Sequence, residues 1–427
     1  MIDGLRARIG SSQVLQGSGW ILVGLGVQSV LGFAFWLLGS QVATSAELGR
    51  ASALFTAIQF VNYLSGLGLT VALARHAVDR STESDALFAW GLAATVASSF
   101  VGGAGYLALA DTSATRMVTG SPVGWLVFCA YTAGTSVGLL VDVRLMAARR
   151  WGWLVGRLAL TGLVRLPLVP LDPGISPDLW LYHLMLAPLA ITGVGAVPLL
   201  GRMGAGGTRW RRPATLAAVA RYSGVNWLAT LASQAPQFVL PLVVAQSVAP
   251  SINANFFLAW TVTGLVFLIP GAISQVLLVE GSKDADDPGA SAHHAEHRAR
   301  DALAFSLGLA GLAWLGSLVV GHGAAAVLGD DYDQLARLLP GLMLAGIPWA
   351  VTSVRLAEAR IRRDQLATVA ITVTLGLGIL VPTLLFVPSV GTVAATRSWL
   401  FGNLAGAVVA MATHHRARRR AAAQASA

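Results

Sequence analysis

The sequence predicts an all-α polytopic membrane protein of about twelve transmembrane helices in two six-helix lobes, and three observations predict it. Of 427 residues, 55% are hydrophobic and only 11% charged, whereas a soluble chain carries about 25% charged residues. The mean hydropathy is +0.67. Apolar runs of about 20 residues, long enough to cross the hydrocarbon core as helices, recur along the whole chain. Lys and Arg gather in alternate short segments between these runs, which is the charge pattern of membrane topology.

In chain order the spans read 18–43, 48–74, 86–109, 122–141, 151–171, 179–200, 224–246, 254–279, 302–327, 338–357, 366–387 and 391–413. Arg6 and Arg8 precede the first, and its apolar run from Trp20 to Ala43 exceeds the roughly 7–15-residue core of a signal peptide, so it reads as an uncleaved span. With the N-terminus in the cytoplasm, the external loops and their edges hold only Arg50, Arg116 and Arg337, and Arg157, Arg165 and Arg397 lie within spans. The remaining Lys and Arg fall on the cytoplasmic side, with Arg355 at a span edge. Both termini are therefore expected in the cytoplasm of a multi-pass cell-membrane protein.

The segment 201–223 is Gly-rich, then basic at Arg209, Arg211 and Arg212, and divides the spans six and six. It reads as a cytoplasmic linker between an N-terminal lobe, 1–200, and a C-terminal lobe, 224–427, that ends in a short basic tail. Superposing Trp20 on Trp227 aligns a Ser-Gly, an apolar span, a short turn and a longer span, as an internal repeat would. A second polar segment, Lys283 to Asp301, reads as a solvated connector.

Several function classes are excluded or disfavoured. No stretch fits GxxxxGK[ST], and the chain has a single lysine, so it has no phosphate-binding loop for ATP. The longest loops, about twenty residues, count against a membrane glycosyltransferase or polymerase, which usually needs a sizeable catalytic loop and stands as the more distant alternative, and no enzyme activity is expected. The +9 charge is spread over the loops and forms no soluble nucleic-acid patch. His293, Glu296 and His297 spell H-x-x-E-H, but in a polar segment with no third ligand, so no metal is expected and no cofactor is implied. Asp330, Asp331 and Asp333 lack calcium-loop spacing and read as an acidic external loop. Cys129 is the single cysteine, which leaves no intrachain disulfide. The pairs Gly134/Gly138, Gly152/Gly156 and Gly402/Gly406 are GxxxG spacings that let helices approach closely.

The polar residues inside spans carry the chemistry. Arg157, Thr161 and Arg165 stand at i, i+4 and i+8, one stripe on one face of the fifth span. A guanidinium facing lipid there costs a few kcal/mol, so the stripe is expected to face a bundle interior or a wet cavity. With Arg397 and the amides Gln28, Gln59, Asn62, Gln234 and Gln237, it predicts a basic hydrophilic cavity between the two halves, against the plainer reading of snorkelling cations and interhelical glue. No carboxylate falls near a predicted midplane. Asp142, Glu280 and Glu358 follow directly after spans, where they are expected to pair locally, so neutralising them is expected to be mild. A basic cavity without an acid fits an anionic cargo such as a phosphate or pyrophosphate better than an organic cation.

Two stretches carry a resemblance. The block ATSAELGRASALFTAIQFVNYLSGLGLTVALARHA (43–77) has a Glu-Leu-Gly turn, a long apolar helix, then Gly-Leu-Gly and Ala-Arg. VLGDDYDQLARLLPGLMLAGIP (327–348) has Gly329, Tyr332 and the Leu338-Leu339 run. Both resemble Wzx-type O-antigen and exopolysaccharide flippases, of the superfamily that also holds multidrug exporters and the lipid II flippase. Arg50-Ala51 and Ser251-Ile252-Asn253 depart from the family pattern. The resemblance implies a transporter that moves a polyprenyl-pyrophosphate-linked oligosaccharide to the outer leaflet by alternating access. It also implies membrane lipids, glycosyltransferases and a polysaccharide polymerase as partners, with Arg157 and Arg165 on the pyrophosphate and the amides on sugar hydroxyls. A cation or drug exporter of the same fold is the nearer alternative.

Overall fold

The computed structural model describes residues 13–76, 82–285, 292–362 and 364–425, and among them there is no strand. The helices are α1 (Gln13–Val42), α2 (Ser45–Ser65), α3 (Leu69–His76), α4 (Thr82–Leu109), α5 (Ser113–Thr119), α6 (Pro122–Ala147), α7 (Trp151–Arg165), α8 (Pro177–Ala196), α9 (Leu216–Ser247), α10 (Pro250–Ala285), α11 (Ala292–Leu328), α12 (Asp333–Leu344), α13 (Gly346–Ile361), α14 (Gln365–Val390) and α15 (Thr392–Ala425). Each predicted span falls on one helix, except the second (α2 and α3) and the tenth (α12 and α13). Leu67 and Gly68 break the second span by taking positive φ, 48° and 67°.

Eight helical stretches among the described residues are long and apolar enough to cross a membrane. The second, fifth, seventh and twelfth predicted spans are not among them. Those four carry most of the polar candidates, and α7 stops after 15 residues at Arg165 before a short 3-10 turn. On α14, by contrast, Leu366, Val369, Val373, Leu377, Val381 and Leu384 are all exposed at helical spacing. Such a stripe has no place in water and suits acyl chains.

The chain clusters into two compact units, Gly19–Ala254 and Asn255–Ala427 with the first turns of α1 up to Ser18. In the first, α6 and α8 cross at small residues. A Cβ on Gly193 would lie 2.7 Å from the Gly134 carbonyl oxygen and 2.8 Å from the Gly138 Cα, so the backbones touch. Gly193→Val is expected to force α6 and α8 apart at about 1–3 kcal/mol. Gly195→Val, which meets open space, is expected to be tolerated. The yield of monodisperse protein from the two variants checks this. Gly152 and Gly156, expected to pack like the other GxxxG pairs, meet nothing within 4 Å. The buried face of α7 belongs to Leu154, Leu158, Thr161 and Arg165, which turns these glycines outward.

The first unit also holds α9, which lies along α2 and α3. The Trp227 indole donates to the Leu64 carbonyl at 2.9 Å, and Tyr63 stacks on Phe238 with ring centroids 4.8 Å apart. Residues 201–215 fold as a strap onto the ends of α4 and α6. Asp85 accepts from the Gly207 N–H at 2.9 Å and from Arg144 at 2.7 Å, and Arg144 lies over the Phe88 ring.

In the second unit Trp260, Phe267, Trp349 and Trp399 form one aromatic cluster among α10, α13 and α15. Glu358 pairs with Arg355 at 2.8 Å, as its spacing predicts, and its carboxylate lies 3.3 Å from the His414 Nδ1 on α15. The Lys283–Asp301 connector is largely helix, because α10 runs on to Ala285 and α11 starts at Ala292. Its His297 hydrogen-bonds to Asp301, one turn on, at 3.0 Å, while residues 286–291 and the side chains of Glu280, His293 and Glu296 lie outside the described residues.

Candidate functional site

The stripe on α7 faces the interior of the first unit, and its three members meet different fates. Thr161 is buried and donates its hydroxyl to the Leu158 carbonyl of its own helix at 2.7 Å. Arg157 forms a two-pronged ion pair with Asp142 of α6, Nε donating to Oδ1 at 2.9 Å and Nη2 to Oδ2. Both side chains are nearly buried, and Thr192 of α8 stands 3.5 Å from Nη1.

This overturns one expectation from the sequence. Asp142 does not follow the fourth span; α6 runs five residues beyond it to Ala147, which places the carboxylate inside the helix. The sequence shows the acid and the arginine on neighbouring spans, but their pairing depends on how the two helices face each other.

Arg165 is different. Its side chain is 2% exposed, and among the described residues it has no carboxylate partner. Nη1 donates to the Met185 sulfur at 2.7 Å, the guanidinium lies over the Phe35 ring at 5.0 Å, and Nε is buried without an acceptor among the described residues. Gly32 of α1 leaves room beside Nη2, where a Cβ would stand 3.7 Å away. A sulfur and an aromatic face are weak partners for a cation, so this charge is solvated by the protein but not neutralised. One turn before Met185 on α8, the buried Tyr182 hydroxyl has no hydrogen-bond partner among the described residues either. Tyr131 packs edge-on against Tyr182 and hydrogen-bonds to the His183 Nδ1 at 2.9 Å.

The amides divide in the same way. Asn62 is engaged at both amide atoms, donating to Thr135 at 2.9 Å and accepting from Ser136 at 2.8 Å, with Ser99 hydrogen-bonded to Ser136 behind it. It fastens α2 to α6. Gln28 and Gln59 are half-buried, Gln234 and Gln237 are exposed, and none has a side-chain hydrogen bond among the described residues. Arg397 is exposed on α15 in the second unit, so α7 and α15 carry their arginines in separate units.

No protein-family model matches the chain, and no curated protein is significantly similar to it in sequence. Solved structures are similar in fold. An inward-facing multidrug-resistance MATE family transporter of the MOP superfamily aligns over 95% of this chain and 99% of its own, with a TM-score of 0.67 and 14% identity. The fold is that of the MOP superfamily. The lipid II flippase MurJ in an inward closed conformation aligns over 92% of this chain and 87% of its own, with a TM-score of 0.69 and 13% identity. A MOP transporter from Pyrococcus furiosus, described as having a binding pocket of reverse polarity, aligns over 92% of both chains at a TM-score of 0.55 and 14% identity.

Proposed function

We propose that this chain is a membrane transporter of the MOP fold that carries a polyprenyl-pyrophosphate-linked oligosaccharide from the cytoplasmic to the outer leaflet of the cell membrane, by alternating access, for surface polysaccharide synthesis. The observation that carries the reading is Arg165, a buried guanidinium without a carboxylate. Arg157 has the same chemistry, but Asp142 neutralises it, so the spare positive charge of the first unit's interior rests at Arg165. A planar fork of donors in a low-dielectric interior suits a phosphate or pyrophosphate oxygen pair. Gln28 and Gln59, half-buried and without side-chain hydrogen bonds among the described residues, supply amides for sugar hydroxyls. The topology that fits is two six-helix halves with both termini in the cytoplasm, and glycosyltransferases and a polymerase would act before and after the transport step.

The test is glycan export in cells that depend on this transporter for it. Arg165→Lys keeps the charge but loses the two-pronged geometry and is expected to retain part of the export. Arg165→Ala is expected to export nothing at normal protein level. Full export by the alanine variant would sink the reading.

A second reading, a multidrug exporter, draws on Asp142, because cation carriers of many folds use a buried carboxylate. The Arg157 ion pair leaves that carboxylate no free charge with which to hold an organic cation. Drug resistance that rises with expression of the protein, with glycan export unaffected by its deletion, would favour this second reading.

A further inference from the structure

We propose that the strap between α8 and α9 is a docking site for anionic phospholipid head groups, with Trp210 as its apolar anchor and Arg209 and Arg212 as its phosphate ligands. The strap is a built element. Gly204 and Gly206 take positive φ, 68° and 90°, and a Cβ on either would overlap Arg150 or Arg144, so the chain passes directly over these guanidinium groups. Arg150 donates to the Gly204 carbonyl, and Glu83 accepts from both the Thr215 N–H and its hydroxyl at 3.1 Å.

The segment Arg209–Arg212 is pinned at both ends, with its tip turned outward. The Arg209 N–H donates to the Asp85 carbonyl at 3.3 Å, and the Arg211 N–H donates back to the Arg209 carbonyl at 3.0 Å. The Trp90 indole then donates to the Arg211 carbonyl at 2.9 Å. This tight turn leaves Trp210 72% exposed at its apex. Arg211 reaches back to Thr82 and Glu83. Arg209 and Arg212 are exposed and have no carboxylate partner among the described residues.

A water-exposed indole between unpaired arginines is costly on a soluble surface and favourable at a bilayer interface. There the ring lies at the level of the head groups and the guanidinium groups meet phosphates. Two nearby indoles agree, since Trp90 on α4, whose N–H holds the strap, and Trp153 in the first turn of α7 are also exposed. Anionic lipid is the occupant that fits, because the local charge is positive and its two free cations need a phosphate or carboxylate. The proposal does not depend on the nature of the cargo.

The test uses the full-length protein in detergent, titrated with phosphatidylglycerol or phosphatidylcholine and read by native mass spectrometry of lipid adducts. The wild type is expected to bind phosphatidylglycerol in preference, more weakly as salt rises. At roughly 1 kcal/mol per interfacial arginine, the double variant R209Q/R212Q should bind phosphatidylglycerol about 30-fold more weakly. Trp210→Ala should weaken binding of both lipids. The charge-preserving R209K/R212K should bind phosphatidylglycerol nearly as the wild type does. Only protein eluting as a single species is scored, which separates lipid loss from unfolding. Equal binding of the two lipids by the wild type would overturn the proposal, as would undiminished phosphatidylglycerol binding by R209Q/R212Q or its loss in R209K/R212K.

Discussion

Asp142→Asn alone and Arg157→Gln alone are each expected to cost the folded protein about 3–5 kcal/mol, the range for breaking a buried ion pair by removing one partner. The cost comes from the charge left behind. With Asn in place of Asp142, the Arg157 guanidinium remains between α6 and α8 facing an uncharged amide and the Thr192 hydroxyl, 3.5 Å from Nη1, with no countercharge. The double variant D142N/R157Q removes both charges and leaves two amides able to hydrogen-bond, so it should recover most of the loss. Thermal unfolding of the four proteins in one detergent gives the coupling energy directly. Single variants that melt with the wild type would show the pair to be of no structural account. This result would differ from the mild effect that the sequence suggests for neutralising Asp142, Glu280 and Glu358, because that expectation places Asp142 at an exposed helix end.

Gly49→Ala is expected to be nearly as severe. Gly49 lies in the first turn of α2, whose start is set by a capping box between Thr44 and Glu47. The first turn of α10 crosses it there, backbone against backbone, and a methyl on residue 49 would overlap the Pro250 carbonyl. Asn253 ties the crossing, donating from Nδ2 to the Gly49 carbonyl at 2.9 Å and to the Ser52 hydroxyl at 3.2 Å. The obstruction is backbone at the base of a helix and not the end of a flexible side chain, so the cost should reach or exceed the upper end of the roughly 1–3 kcal/mol typical of overpacking. Asn253→Ala should cost less, about 1 kcal/mol, since it removes a hydrogen bond and leaves the crossing in place. Melting temperatures rank the two variants. If Asn253→Ala proves the more damaging, the hydrogen bond and not the close approach holds the crossing. The same geometry accounts for a departure noted in the sequence. The second half needs no glycine at Ser251-Ile252-Asn253, because one glycine, at 49, already makes room for both helices.

The helices and the membrane were determined by the sequence itself. Apolar runs of bilayer length are local properties, and each predicted span coincides with one helix or a pair. The stripe of Arg157, Thr161 and Arg165 was equally legible, because spacings of four residues place side chains on one face whatever the tertiary context. The breaks in two of the spans were not legible in this way: 48–74 and 338–357 read as continuous, whereas the chain breaks the first at Leu67 and Gly68 with positive φ and the second at Ala345.

Tertiary structure decided what each of those side chains meets. Asp142 and Arg157 are 15 residues apart, and nothing local says that α6 turns its carboxylate toward α7. Arg165 carries the same charge as Arg157 on the same face, yet it meets a sulfur and a ring, because α1 and α8 present Phe35 and Met185 at that level. The strap had the composition of a free linker. Its fold depends on Asp85 and Glu83, more than a hundred residues earlier, which accept the hydrogen bonds that its glycine-rich backbone offers. Hydropathy and periodicity are sums over neighbours in sequence, whereas the partner of a buried charge is set by which helices lie side by side. That is why the sequence could name the arginines, and only the packed unit could separate the neutralised one from the one left with spare charge.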